Sequence, residues 1–134
     1  MPVQVHNDRE NLLSIVLLCR WCFYPALIAV SLLALLPQDQ VVITTGWDKA
    51  NHSLAFFVLL GLLDNAYPAM NVWSKKIAPL LAYAVLIELV QSQIPGRCAS
   101  LLDIVGDTVG LGFYLLLRPL LISHMPFINA DHFR

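Results

Sequence analysis

Charge is what this sequence has least of. Asp, Glu, Lys and Arg make up 13% of its 134 residues, about half the share usual in a soluble domain. The eight Lys and Arg stand singly or as one pair, so no basic stripe exists to follow a nucleic-acid backbone. Nucleic acid is excluded as a partner. Linkers, internal repeats and low-complexity tracts are also missing, which leaves a single domain over residues 1–134. Cysteine is scarce, with three thiols in the chain. Cys19-x-x-Cys22 has redox spacing but neither a thioredoxin-like context nor a second pair of zinc ligands, so both are read as packing residues.

What the chain has instead is apolar surface. With 58% hydrophobic residues and a mean hydropathy of +0.70, it reads as a small integral membrane protein. A bilayer core of roughly 30 Å needs about 17–25 mostly apolar residues per helix, because lipid offers the backbone no other hydrogen bonds. Four stretches qualify, at about 20–36, 50–67, 76–94 and 101–118. The expected fold is all-α, four antiparallel transmembrane helices in a small bundle, with stops at Pro68, Pro95-Gly96 and Arg118-Pro119.

The run before the first span, LLSIVLLC at Leu12–Cys19, is expected to lie along the interface, with Trp21 and Tyr24 as anchors. The alternative puts Arg20 inside one longer helix, with its side chain reaching to the boundary. The apolar run from Leu12 to Leu36 is longer than a signal-peptide core, and no small-x-small site ends it, so cleavage is not expected. Cationic residues then set the orientation. Arg9, Arg20, Lys75, Lys76, Arg118 and Arg134 share one face and only Lys49 and Arg97 the other, which puts both termini in the cytoplasm. The expected location is the bacterial inner membrane, multi-pass, with the PGRCAS loop outside.

Polar residues are then sorted by depth and by face. Glu88 and Asp107 each lie roughly 9 Å inside the outer ends of their spans. Helical spacing puts Ala84, Glu88, Gln91 and Ser92 on one side of the third span. The same spacing gathers Ser100, Asp103, Gly106, Asp107 and Gly110 on one side of the fourth, and stacks His52 one turn below Asp48 on the second. Intramembrane charges are costly and face one another inside a bundle. One outward-facing site therefore collects Asp48, Lys49, His52, Glu88, Gln91, Arg97, Ser100, Asp103 and Asp107. Four carboxylates against two cations require it to hold protons, a cation or both.

Plainer roles compete for several of these residues. Asp48 and Asp103 suit first turns of helices, where a carboxylate satisfies free amides. Ser100 suits an N-cap, and Gly106-x-x-x-Gly110 suits close helix packing. Asp64 is assigned to interfacial solvation near the cytoplasmic end. Glu88 and Asp107 are too deep for caps, so they carry the functional expectation.

Taken together, DKANH at 48–52 and IELVQSQIPGRCASLLDIVGDTVG at 87–110 resemble the VanZ-like family of small membrane proteins. The likeness covers about the last three helices and departs at Asp107, where asparagine is common in relatives. The resemblance implies a helical inner-membrane protein of the cell envelope, with a link to antibiotic resistance through a namesake associated with teicoplanin. It maps the family motif onto the same nine residues and implies no settled reaction.

Three kinds of function fit. In the first, the site recognises or modifies an anionic envelope lipid or lipid-linked precursor. Arg97 and Lys49 would hold phosphate, His52 and Glu88 would exchange a proton or orient a hydroxyl, and Asp103 and Asp107 would steer the cations or bind a divalent ion. No organic cofactor is indicated, and no nucleophile with an activating base stands out, so an enzyme is the lesser version. In the second, Glu88, Asp107 and His52 relay a proton or cation through a small transporter or flippase subunit, which would need a homo-oligomer or partner to build a path. In the third, the polar cluster only locks helices together.

Overall fold

The computed structural model describes residues 2–36, 48–96 and 100–124, with side chains from 9–36, 49–96 and 100–123. Four helices and no strands occur among them: α1 Pro2–Leu35, α2 Asp48–Ala66, α3 Trp73–Gln91 and α4 Leu101–His124. Of the expected residues, Arg97, Cys98 and the side chain of Asp48 lie outside this description.

Two helices are longer than expected. The run Leu12–Cys19 is continuous with the rest of α1, so the single-long-helix alternative holds and the separate interfacial segment does not. The reason lies at Arg20, whose Nε donates to the Ala66 carbonyl at 3.0 Å and whose guanidinium stacks 4.8 Å over the Tyr67 ring. Rather than reaching for a boundary, Arg20 satisfies one of the open carbonyls at the negative end of α2. Likewise α4 does not stop at Arg118-Pro119 but continues to His124 with Pro119 inside it. α3 begins and ends about one turn early relative to the sequence expectation.

α2 is the central helix. It packs most extensively on α4 and then on α1, and of its large apolar residues only Leu54 and Val58 are exposed. The α2–α4 seam is set by glycine: a Cβ at Gly110 would fall onto the Ser53 backbone, and one at Gly106 would meet the Lys49 carbonyl at 3.2 Å. Ser53 Oγ uses this approach to donate to the Gly106 carbonyl at 2.7 Å. The small-residue spacing read from the sequence is thus the closest helix contact described.

The middle of the bundle is an apolar layer of Phe23, Phe56, Leu59, Leu60, Leu80, Ala84, Leu111 and Tyr114. Apolar residues also dominate much of the outside. Leu13, Leu18, Trp21, Ile28, Leu32, Leu86, Leu89, Leu101, Leu116 and Leu120 are all exposed, while Asp64, Lys76, Glu88, Gln91, Asp103 and Asp107 are buried. Two helices, over Arg9–Leu35 and Leu101–Ser123, are long and apolar enough to cross a membrane, and only 6% of the first is covered by the rest of the protein.

Candidate functional site

The buried polar groups form two clusters, one at each end of the bundle. The first gathers around the start of α2, the end of α3 and the start of α4. Breaking α3 at Gln91, followed by the turn through Pro95 and Gly96, returns the chain so that Ser100 faces Glu88. The Ser100 amide donates to Glu88 Oε2 at 2.9 Å, and Ser100 Oγ accepts from the Leu102 amide at 3.2 Å. Ser100 is therefore the N-cap its position suggested. Because α3 ends early, Glu88 sits roughly 4.5 Å from the helix end, closer than the sequence expectation.

α4 contributes a stripe at helical spacing, Asp103, Gly106, Asp107, Gly110, Leu111 and Tyr114, all covered. Its first carboxylate receives the Lys49 ammonium, Nζ to Oδ1 at 3.0 Å, across the glycine seam. Its second lies one turn deeper, 1% exposed, with Oδ1 3.0 Å from His52 Nδ1. His52, Glu88 and Asp103 each place a ligand-type atom within 4.8 Å of the others. Glu88 is 6% exposed, and its Oε1 is the one buried side-chain oxygen or nitrogen among the described residues without a hydrogen-bond partner.

The expected nine residues therefore divide. Lys49, His52, Glu88, Ser100, Asp103 and Asp107 come together. Gln91 turns away and donates to the Ala34 carbonyl of α1 at 2.7 Å, tying α1 to α3. Arg97 and the Asp48 side chain are outside the described residues.

A second cluster at the other end was not anticipated. Asp64 accepts from Lys76 Nζ at 2.5 Å, Arg118 Nε at 2.7 Å and Tyr114 Oη at 2.9 Å, and both cations lie over the Trp73 ring. Asp64 is buried, not solvated at an interface. A signal was present in the sequence: Asp64, Lys76 and Arg118 lie within two turns of the same end of three successive helices. On α2, His52 and Asp64 are twelve residues apart, roughly 18 Å, and the apolar layer of Phe56, Leu59 and Leu60 separates them.

No protein-family model, curated protein or solved structure matches the chain. The class that the described residues define is an all-helical protein of four helices with a polar cluster at each end.

Proposed function

We propose that the chain is a multi-pass protein of the bacterial inner membrane whose cluster at His52, Glu88 and Asp103 faces the extracytoplasmic side and recognises an anionic envelope lipid or lipid-linked precursor. The membrane reading is supported by the inverted surface, since a bundle that buries six polar residues and exposes leucine on all sides fits lipid as its solvent. Orientation follows the cations: Arg20, Lys76 and Arg118 occupy the Asp64 end and Lys49 the other, so the Asp64 end and both termini belong to the cytoplasm. The resemblance to VanZ-like proteins agrees with an envelope role and extends, as part of this proposal, to glycopeptide susceptibility.

One observation carries the ligand reading over the other two. A cluster whose only task is to hold helices together satisfies its buried groups, whereas Glu88 Oε1 is buried and without a partner. Transport is less well supported, because the apolar layer around Leu59 and Leu60 interrupts a polar line between the two clusters. Lys49, whose side chain is 54% exposed beside the buried carboxylates, is placed to meet a phosphate at the mouth. The test is mass spectrometry of lipids that copurify with the wild type and with Glu88→Gln. Enrichment of an anionic lipid in the wild type and its loss in the variant are expected; identical lipid profiles from two folded proteins would refute the ligand reading.

A further inference from the structure

We propose that His52, Glu88 and Asp103 form a binding site for one divalent first-row metal ion of the zinc or manganese kind, with Asp107 as the residue that orients His52. The inference uses the same cluster as the lipid reading but does not depend on it.

Three observations converge. The three ligand-type atoms come from three different helices and already lie within 4.8 Å of one another. Ligands around a metal with bonds of about 2.0–2.1 Å are about 3.3–3.5 Å apart in a tetrahedron, so side-chain rotations closing the widest gap by about 1.5 Å complete the site. Second, Glu88 offers an oxygen that is buried and unpartnered, while its other oxygen is fixed by the Ser100 amide. This arrangement holds a carboxylate in place and leaves one atom for a ligand.

Third, Asp107 lies against His52, its Oδ1 3.0 Å from Nδ1; in the tautomer that donates from Nδ1 to Asp107, Nε2 would be the ligating nitrogen. A carboxylate behind a ligating histidine is how metal sites fix the ring and its tautomer. Lys49 bonds one oxygen of Asp103, and the second oxygen is the one that would ligate.

The donor set selects the ion. Imidazole suits zinc and its neighbours, while two carboxylates suit manganese and harder ions; calcium and magnesium, which prefer oxygen alone, are poorly matched. Three protein ligands leave a coordination position for water or for a phosphate oxygen, as at sites that act on a bound molecule.

The test uses the full chain in lipid-free detergent micelles, stripped with chelator and titrated with zinc chloride or manganese chloride. Saturable binding of one ion per chain is expected, with affinity lower by at least tenfold in Glu88→Gln and Asp103→Asn and by about 10–100-fold in Asp107→Asn. The combined change His6→Ala, His124→Ala and His132→Ala is expected to leave affinity unchanged. Electron paramagnetic resonance of the wild type loaded with manganese is expected to show coupling to an imidazole nitrogen, a readout that needs no variant. Absence of saturable binding, absence of nitrogen coupling, full affinity in both Glu88→Gln and Asp103→Asn, or loss of binding in the triple histidine variant would each overturn the site. Metal binding with unchanged lipid profiles would instead retire the lipid reading and leave the metal site standing.

Discussion

Replacing Asp64 by asparagine is expected to cost more stability than any change in the other cluster. The carboxylate is 5% exposed and accepts from three donors, of which the Lys76 side chain is 4% exposed and that of Arg118 is 31% exposed. Asparagine keeps one acceptor oxygen and removes the charge, so the Lys76 ammonium stays buried without a counter-ion. Breaking a buried pair in this way costs about 3–5 kcal/mol. The Trp73 ring, 5.4 Å from Lys76 Nζ, returns about 0.5–2 kcal/mol of cation–π attraction, but it makes that contact in the wild type too and offsets nothing. Arg118 is partly exposed, so it can turn outward and loses less. Removing both buried ions, in Asp64→Leu with Lys76→Met, is therefore expected to be milder than the single change. Its main deficit is the Tyr114 hydroxyl left without an acceptor, about 1–3 kcal/mol. Both variants are measured by denaturing-detergent titration in bicelles, followed by helical circular dichroism. A loss under about 1 kcal/mol for Asp64→Asn, or a double variant weaker than the single, would refute the assignment of this cluster as a structural lock.

Two further outcomes follow from the packing and the topology. Gly110→Ala places its Cβ on the Ser53 backbone and is expected to cost about 1–3 kcal/mol or more by overpacking, whereas Gly106→Ala, with its nearest neighbour at 3.2 Å, is expected to be milder; the same titration compares them, and equal costs would contradict the seam. A membrane-impermeant thiol reagent is expected to label Cys98 in spheroplasts, because its loop is assigned to the outside; labelling only in inverted vesicles would reverse the orientation.

Much of this architecture was legible because helix periodicity and stop signals are local. The row Ala84, Glu88, Gln91 and Ser92 was drawn from spacing alone; the structure buries the first three together with Lys76, Leu80 and Ile87 and leaves Ser92 exposed at the C-cap of α3. Gly106 and Gly110 announced the α2–α4 seam in the same way. The limits were set by tertiary partners. Pro119 reads as a stop, because an interior proline costs about 3 kcal/mol, yet α4 passes through it next to Arg118, which is held on Asp64. Arg20 reads as a boundary marker because a sequence does not show that the end of α2 will offer it a carbonyl. Within the candidate site, helix faces were legible and contacts were not: Gln91 shares the face of Glu88 but bonds α1, and Asp107 shares the stripe of Asp103 but meets His52.

The distribution of polarity decides how this chain can drift. Under the proposed membrane reading, leucine, isoleucine, valine and phenylalanine are nearly equivalent to a lipid tail, so exposed positions such as Leu89, Leu101 and Leu116 can be exchanged among them at little cost. The covered stripe of α4 and the residues it meets have no such freedom, since each is matched to a specific partner. Over time the hydropathy profile would stay constant while the letters behind it scramble, and the memory of the fold would be kept by a dozen polar and small residues. A search for relatives is therefore best weighted toward the spacing of Asp64, Lys76, Glu88, Asp103, Asp107 and Arg118 rather than toward overall identity.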